Sequence, residues 1–408
     1  MSLITDLHIH SKYARGCSKD LDLKNLEKFA RIKGIDVLGS GDFTHPKWIG
    51  ELKSQLTENG SGILRTATGY PFVLQTEIGL VFKQGGHGRR VHMLILAPSF
   101  AVVAQITEML LKRGRIDYDG RPVFGMSAIA LVEECQRIDP RIELIPAHAW
   151  TPWYAIFGSK SGFDSLQECF QEKTKHIHAI ETGMSSDPPM NWRISSLDNI
   201  NLVSFSDSHS YWPWRLGREA TIFNLNASEL TYDQLIHSVR TGEKLAGTIE
   251  TDPNYGKYHW DGHRSCLIRF APEQSQAHNG NCPNCGKPLT IGVQNRIAQL
   301  ADRPTGYRSQ AAKPFARLVP LQELIACAYQ RGIATQIPTQ VYGKLIQAFG
   351  NEFAVLRDTP EHALANVVHP KLAAVILQNR SGEITIDPGY DGVYGKPLLA
   401  ESLKPGEK

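Results

Sequence analysis

The chain has 408 residues, of which 41% are hydrophobic and 21% charged, a composition typical of a folded globular protein rather than a disordered or fibrous one. No stretch reaches the roughly 18 uninterrupted apolar residues of a membrane span, and the N-terminus MSLITDLHIHSK lacks the pattern of a signal peptide. We therefore expect a cytoplasmic protein without a membrane partner, and the net charge of +3 permits a phosphate-rich ligand without requiring one.

Helical and strand-like stretches alternate from residue 20 to about residue 225. The stretch LDLKNLEKFARIKG places Leu23, Leu26 and Ala30 at helical spacing and ends at Gly34, a residue that favours leaving a helix. Strand-like runs follow: IDVLGSGD, FVLQTEIGLVF, VHMLILA, IELIPAHAW, HIHAIETG and NLVSFSDSH. Helix-like stretches such as SAIALVEECQR lie between some of them. This alternation predicts an α/β unit, either a barrel or a doubly wound sheet.

The composition changes after residue 250. The segment Thr251 to Pro304 is rich in Pro, Gly, Asn, His and Cys and has few apolar runs, as in a small domain organised by a metal. From Pro314 onward helical stretches such as LQELIACAYQRG return. We predict an α/β domain over residues 1–250, a zinc-ribbon module over 251–312 and a mainly helical C-terminal domain over 313–408.

Ionisable residues interrupt the strand-like runs. Asp6, His8 and His10 alternate, so that one face of an extended strand would carry all three. Further such residues are Asp42, His45, Glu77, His92, His148, Glu181, Asp207 and His209. Any one histidine could be an ordinary hydrogen-bonded residue, and Asp42 or Asp207 could cap a helix or form a turn. Burying so many ionisable groups together without metal would be costly, however, so the set predicts a metal centre at the strand ends.

A second metal site is predicted by cysteine spacing. His263 and Cys266 form one chelating pair, and Cys282 and Cys285 form another at the separation found in zinc ribbons. His259 and His278 are alternatives to His263. Four protein ligands leave no open coordination position, so we expect a structural zinc rather than a catalytic one.

The ordered motifs DLHIHS, SGDFTHP, AHAW and SDSH, together with the Glu77 and His92 pair, resemble those of the polymerase-and-histidinol-phosphatase (PHP) family. The longer segments AHAWTPWYAIFGSKSGFDS, IETGMSSDPPMNWRISSLDN and NCPNCGKPLTIGV are similar to the endonuclease Q branch of that family, and the similarity spans nearly the whole chain. The resemblance implies a distorted, TIM-like β/α barrel with two or three divalent metals (zinc, manganese or magnesium) at its C-terminal face. It also implies an enzyme that nicks DNA on the 5′ side of deaminated bases.

Carried over residue by residue, the resemblance implies three ligand sets. The first comprises His8, His10, Glu77 and Asp207, and the second comprises Glu77, His92 and His148. Asp42 or His45, with His209, would hold a third metal, although this chain has GDFTH where the broader family has adjacent Asp and His. Asp207, Glu77 and His148 are the residues we expect to carry catalysis.

Mixed aromatic and basic residues flank these ligands in the sequence, a combination that suits stacking on bases and neutralising phosphates. The candidates for DNA contact are Lys12, Tyr13, Arg15, Trp150, Trp153, Arg193, Arg215 and Arg218. Several of the tryptophans could equally belong to the core.

Three functions remain open on the sequence. The first is a DNA-repair endonuclease acting on deaminated bases (uracil, hypoxanthine or xanthine) or on abasic sites. The second is a small-molecule phosphoesterase with the same metals, which would not need the zinc module and the C-terminal domain. The third is a non-catalytic DNA-binding protein, which the intact ligand set disfavours.

Overall fold

The computed structural model describes residues 2–399. The remaining part of the predicted C-terminal domain, residues 400–408, lies outside the described residues. The strands are β1 Leu3–Asp6, β2 Val37–Gly39, β3 Leu64–Arg65, β4 Pro71–Gln84, β5 His87–Ala97, β6 Val123–Phe124, β7 Glu143–Pro146, β8 Ala179–Glu181, β9 Asn201–Val203, β10 Ala220–Phe223, β11 Leu245–Glu250, β12 Asp261–His263, β13 Ile268–Phe270, β14 Phe315–Arg317, β15 Thr385–Asp387 and β16 Lys396–Leu398.

The α-helices fall into an N-terminal group between the strands of the main sheet and a C-terminal group beyond residue 270. They are α1 Leu23–Lys33, α2 Pro46–Gln55, α3 Phe100–Leu111, α4 Ala128–Ile138, α5 Leu166–Phe170, α6 Pro188–Asn191, α7 Tyr232–Thr241, α8 Pro272–Ala277, α9 Val293–Leu300, α10 Leu321–Ala328, α11 Gln336–Phe349, α12 Glu361–Ala365 and α13 Pro370–Arg380. Among the described helices, none combines the length and apolar character needed to cross a bilayer.

The main sheet is a curled half-barrel in the order β14-β11-β10-β1-β2-β4-β5-β7, and β3 and β6 also pair with β4. The parallel pair β8-β9 lies beside it, with β8 against β7. A zinc-ribbon-like segment and a helical C-terminal region follow, so the predicted fold class is confirmed. Strand β14 comes from the C-terminal region and pairs with β11, which joins that region to the barrel sheet.

The strand directions differ from a regular β/α barrel because β4 and β5 form a long antiparallel hairpin. The two residues between them, Gly85 and Gly86, both have positive φ angles (60° and 79°). Two consecutive residues with positive φ are the requirement of the tight turn that suits strand twist, and glycine meets it without steric cost. The hairpin therefore follows from the sequence GG between two strand-forming runs.

Side chains of successive strand residues belong to two different apolar clusters. Leu3, Val37, Val73 and Leu94 form one cluster with α7, and their chain neighbours Ile4, Leu38, Leu74 and Ile95 belong to the other. This is the alternation that an extended backbone imposes. The hydroxyl of Tyr232 in α7 donates to the carbonyls of Leu96 and Arg141, so α7 closes the end of the half-barrel where β7 begins. The opposite end is left for the ionisable residues.

Candidate metal centre and adjoining cavity

The ionisable residues predicted from the strand pattern converge at the open end of the half-barrel. His8 and His10 follow β1, His148 follows β7 and Asp207 follows β9, whereas Glu77 and His92 lie within the β4–β5 hairpin. Two ligand groups result, one of His8, His10, Glu77 and Asp207 and the other of Glu77, His92 and His148, and within each group one potential ligand atom per residue lies within 4.8 Å of the others.

Glu77 is fully buried and belongs to both groups. Its Oε1 lies 2.8 Å from His92 Nδ1 and 3.1 Å from His148 Nε2. Its Oε2 lies 3.3 Å from His10 Nε2. Each carboxylate oxygen thus faces a different histidine set, as a ligand bridging two cations would require.

Two further carboxylates orient the histidines. Nδ1 of His8 donates to Glu181 Oε1 at 2.8 Å, and Nδ1 of His10 donates to Asp42 Oδ1 at 2.9 Å. With Nδ1 of each ring bonded to a carboxylate, Nε2 is the atom that faces the centre and could offer a lone pair to a metal. A carboxylate behind a ligating histidine is the usual arrangement in metalloproteins.

An unpartnered atom tests whether this arrangement fits a metal. Nε2 of His8 is buried and has no hydrogen-bond partner among the described residues. Leaving such an atom unsatisfied is costly unless something else, such as a metal, occupies the position in front of it. The donor set of imidazole nitrogens and carboxylate oxygens suits zinc or manganese. The residues therefore fit divalent metals.

The pKa values of the buried residues also indicate a site for cations. Burial disfavours the charged form of His8, but the carboxylates of Glu181 and Glu77 outweigh this and raise its pKa well above the ordinary value. Burial likewise opposes ionisation of Glu77, yet His92, Arg121 and His8 hold its pKa well below the usual range. The centre is thus a preformed concentration of negative charge matched to bound cations.

Three residues of the centre have left-handed backbone conformations. The φ angles are 33° at Asp42, 32° at His148 and 47° at Asp207. Such angles are uncommon for residues with a side chain, and they are typical of functional sites where the surrounding structure fixes a side-chain direction. Gly183 passes so close to His148 that a Cβ at this glycine would lie 2.8 Å from the Cβ of the histidine.

The structure does not bring Asp42, His45 and His209 together as a third ligand group within residues 2–399. Asp42 instead accepts hydrogen bonds from His10 and from the backbone and hydroxyl of Ser11. His45 precedes α2 and stacks on Tyr13, with ring centroids 4.4 Å apart. His209 bonds through Nδ1 to the carbonyl of Asp207. The third set was implied by the family resemblance, which does not show that Asp42 would turn toward His10.

Asp6 also has a role different from its neighbours in the alternating motif. Its carboxylate accepts the backbone N–H groups of Ser206 and Gly217, each at 2.9 Å. Burial raises its pKa to about 6, although these hydrogen bonds oppose the rise. Asp6 therefore fixes the segment that carries Asp207 and does not enter either ligand group.

A further set of donors, separate from the metal centre, lies in the segment 251–312. His263, Cys266, Cys282 and Cys285 each offer a ligand atom within 4.8 Å of the others. Burial raises the pKa of the Cys282 thiol, but hydrogen bonds from the N–H groups of Asn284 and Cys285 outweigh it and bring the value down to about 7. The ready loss of this proton favours metal binding. His259 lies outside this group, and the ring of His278 stacks on Phe270.

A cavity of about 530 Å³ opens beside the metal centre. His148, Asp207 and His209 line one side of it, and Asp207 is 28% exposed there. The lining also includes cations and aromatic rings, namely Arg215, Arg218, Lys257, Trp153, Tyr258 and Tyr394. The cavity therefore lies between the half-barrel, the cysteine-containing segment and the C-terminal region.

Comparisons with known proteins agree with this architecture. The structure matches that of the lesion-specific endonuclease PfuEndoQ from Pyrococcus furiosus with a TM-score of 0.86 and 30% identity over 98% of this chain and 96% of that one. The chain belongs to the endonuclease Q family. An endonuclease Q complex with a 27-mer duplex substrate carrying an abasic lesion at the active site matches with a TM-score of 0.88 and 30% identity, over 98% of this chain and 97% of that one.

Two further matches concern parts of the chain. Residues 320–383 match the family model of the MJ0043 C-terminal domain. The uncharacterized protein MJ0043 of Methanocaldococcus jannaschii is 32% identical over 252 residues, which are 61% of this chain. The chain spans about a third of the length of that relative, since the match covers 31% of it.

The residues predicted to touch DNA in this endonuclease Q family member occupy very different positions. Trp153, Arg215 and Arg218 line the cavity, and Arg15 is exposed beside Asp119. Lys12 and Tyr13 both bond to Glu51. Arg193 donates to the carbonyl of Arg303 and is half-buried.

The prediction that Trp150 contacts DNA is wrong. Its side chain is buried, its ring packs on Phe157 and its indole N–H donates to Asn191 Oδ1 at 2.8 Å. A ring held in this way is not available to stack on a base. Trp150 is therefore a core residue, as the alternative for the tryptophans allowed.

Arg121 is a residue of the site that the sequence pattern did not single out. Its guanidinium donates to Glu77 Oε2 at 3.0 Å and is partly exposed. It comes from the loop between α3 and β6, in the segment DYDGRPVFG, where no alternation marks it. The only signal was the density of Asp, Gly and Arg in a loop, which is too common to predict a site.

Proposed function

We propose that the protein is a metal-dependent DNA endonuclease of DNA repair that acts in the cytoplasm. It hydrolyses the phosphodiester on the 5′ side of a deaminated base (uracil, hypoxanthine or xanthine) or of an abasic site. The observation that carries this proposal is the position of Glu77, which belongs to both ligand groups. Asp207, the partly exposed member of the first group, lines a cavity that also contains cations and aromatic rings.

The relatives support a damaged-DNA substrate. PfuEndoQ is a lesion-specific endonuclease, and an endonuclease Q structure holds a 27-mer duplex substrate with an abasic lesion at the active site. Both resemble this chain over nearly its full length. The cavity beside Asp207 offers the space that a nucleotide turned out of the duplex would need.

His8, His10, Glu77 and Asp207 would hold one divalent metal, and Glu77, His92 and His148 would hold a second. Zinc, manganese and magnesium are the candidates, in keeping with the mixed nitrogen and oxygen donors. Such a pair supplies a lowered pKa for an attacking water and charge stabilisation for a phosphodiester. His263, Cys266, Cys282 and Cys285 would hold a structural zinc.

The protein's own groups position the substrate. Asp207, the most exposed member of the two ligand groups, would be the first to meet an incoming phosphate, and with Glu77 and His148 it forms the proposed catalytic set. Arg215, Arg218 and Lys257 place positive charge around the same opening, where they would neutralise the phosphates next to the scissile bond.

Aromatic rings that line the cavity would receive the displaced base. Tyr258 and Tyr394 flank Lys257, whose Nζ lies 5.6 Å and 5.8 Å from their ring centroids. Base–aromatic stacking tolerates different bases, which accords with an enzyme that accepts several lesions. Unpaired or mismatched bases leave the duplex at lower cost, which favours damaged sites over normal pairs.

The test is incubation of the purified protein with end-labelled duplexes that contain uracil, hypoxanthine, an abasic site or no lesion, with and without chelator. We expect a nick on the 5′ side of each lesion that chelator abolishes. Asp207→Asn should abolish the nick, while Asp233→Asn, at an exposed position in the first turn of α7, should retain it. Survival of every DNA together with hydrolysis of a small phosphate ester would instead identify a small-molecule phosphoesterase.

A further inference from the structure

A second open groove, of about 560 Å³, adjoins the metal-centre cavity. The distal part of the β4–β5 hairpin forms one wall, and the loop after β7 forms the other. Trp153 lines both the groove and the cavity, and its side chain is 37% exposed. The indole therefore stands at the boundary between the two spaces.

The groove carries positive charge that the protein itself does not neutralise. Lys83, Arg90 and Lys160 line it, are exposed and have no carboxylate partner within the part of the chain that the structure describes. Arg89 behaves differently, because it pairs with Glu168 at 2.6 Å and its guanidinium lies 4.1 Å from the ring centroid of Phe163. Arg89 thus forms part of the wall, whereas Lys83 and Lys160 are exposed and Arg90, also exposed, has its guanidinium 5.9 Å from the ring centroid of Tyr154.

One strand, β5, contributes residues to both the groove and the metal centre. Arg90 and His92 lie two residues apart on β5, so their side chains leave the same face of the hairpin, about 7 Å apart along the strand. The adjoining loop is fixed to that strand by hydrogen bonds from Arg90 N to the carbonyl of Ser161 (3.1 Å) and from His92 N to the carbonyl of Tyr154 (2.9 Å). The free cations and the ligand His92 consequently form a rigid unit.

We propose that this groove binds the sugar-phosphate backbone of the duplex on one side of the lesion. The proposal rests on the proposed function and adds to it the surface that holds the flanking DNA. Trp153 would lie between the nucleotide in the cavity and the strand that continues along Lys83, Arg90 and Lys160. Contacts to phosphates carry no sequence information, which suits an enzyme that must act at a lesion in any sequence.

The experiment compares three proteins on the same uncleaved, lesion-containing duplex in a chelating buffer. These are the wild type, a groove variant (Lys83→Gln, Arg90→Gln, Lys160→Gln) and a control variant (Lys24→Gln, Lys53→Gln, Lys175→Gln). The control removes the same charge from exposed lysines outside both cavities. The dissociation constant is measured over a range of salt concentrations, and single-turnover nicking is then measured with metal at saturating DNA.

We expect the groove variant to bind more weakly and to show a slope of log K against log salt that is smaller by about 2 to 3, one for each lost phosphate contact. The control variant should keep the wild-type slope. The nicking rate at saturating DNA should stay within about twofold of wild type for both, because neither variant alters a residue of the metal centre.

Trimmed duplexes identify the flank. In one series the duplex is shortened on the 5′ side of the lesion, and in the other on the 3′ side, and the defect of the groove variant should disappear in only one series. A wild-type slope in the groove variant, an equal change in the control, or a defect that persists in both trimmed series would overturn the proposal. A wild-type protein that nicks no damaged DNA would overturn the proposed function as well, which distinguishes the two failures.

Discussion

Glu181 accepts a hydrogen bond from Nδ1 of His8 at 2.8 Å, and both side chains are fully buried. The second oxygen of Glu181 accepts the backbone N–H of His148 at 2.5 Å. One carboxylate therefore orients a ligand from each of the two histidine groups. Its influence on the centre is indirect, because it belongs to neither group itself.

Glu181→Gln should weaken metal binding at the centre by about 10–100-fold, since partners that orient ligating histidines have effects of this size. The amide keeps an acceptor oxygen but removes the charge that favours His8 with its proton on Nδ1. Metal content after dialysis against graded chelator measures the effect directly. The zinc of the cysteine site should be unchanged and serves as an internal reference.

Glu143→Gln is the matched control for this prediction. Glu143 is also buried and accepts from a histidine, His178, at 3.1 Å, but it lies at the opposite end of β7 from His148. It should leave metal affinity as in the wild type while it alters stability through its contact with Arg240. Equal metal loss in both variants would show that general destabilisation, and not histidine orientation, is responsible.

Cys285→Ser should remove one metal equivalent and loosen the segment 251–312, because this segment has little apolar core of its own and a structural zinc supplies folding energy. Zinc analysis and limited proteolysis, with cleavage expected first between residues 264 and 290, check the prediction. Cys327→Ser is the control, since Cys327 lies outside the cluster and its thiol bonds to the carbonyl of Pro397. Protease resistance equal to wild type in Cys285→Ser would contradict a structural role for the site.

The sequence predicts the parts of the site that depend on local strand geometry, but not those that depend on contacts between residues distant in the sequence. The alternation in DLHIHS and the polar residues after buried runs indicate which side chains can reach the strand ends, because extended strands have a fixed period. The alternation does not show which carboxylate contacts a metal and which one orients a histidine. Asp42 and Asp207 follow similar strand-like runs, yet Asp42 bonds to His10 and Ser11 whereas Asp207 lies in a ligand group.

The fold is predictable to a similar degree. The α/β class follows from alternating periodicities, but the reading of FVLQTEIGLVF and VHMLILA as separate strands overlooks the turn at Gly85 and Gly86 that makes them a hairpin. The burial of Trp150 depends on a partner, Asn191, that is far away in the sequence. Contacts of this kind become visible only in the folded chain.

The carboxyls of Glu219 and Glu250 predict a specific pH dependence. Both are fully buried, and the hydroxyl of Ser204 lies 3.1 Å from each of them. Burial raises the pKa of Glu219 to about 8, although the Thr251 N–H and Arg218 oppose the rise, and Glu181 and Glu250 add negative charge nearby. This folded-state pKa exceeds the unfolded value of about 4.3. The stabilising contribution of the protonated Glu219 carboxyl to the free energy of unfolding is therefore fully present below pH 4 and is lost as the pH rises through 8.

Glu219→Gln should therefore stabilise the protein at pH 9 relative to wild type, by at least about 1 kcal/mol, and the gain should be much smaller at pH 5, where the loss in the wild type has only begun. The amide resembles the protonated carboxyl and can still accept the Thr251 N–H. Thermal unfolding between pH 5 and pH 9 tests this, with Glu172→Gln at an exposed position as the control. A difference from wild type that does not change with pH would contradict the assignment.

The last prediction concerns the contact between the half-barrel and the C-terminal region. Lys33 at the end of α1 donates to Glu352 Oε1 at 2.6 Å and to the carbonyl of Pro213 at 2.7 Å, and the pair is almost completely buried. Glu352 also accepts from Leu321 N and from the hydroxyl of Tyr342. Lys33→Met would leave this carboxylate without its cation and should cost about 3–5 kcal/mol in the free energy of unfolding.

Adding Glu352→Gln to Lys33→Met should recover part of that loss, because the uncompensated charge is then removed while the acceptor for Leu321 N is kept. Urea unfolding followed by tryptophan fluorescence suits the measurement, since Trp212 and Trp214 lie on either side of Pro213. If Lys33→Met separates the transition into two steps, the ion pair couples the half-barrel to the C-terminal region. A loss under about 1 kcal/mol would mean that solvent reaches the pair and that the β11–β14 pairing and apolar packing hold the two regions together.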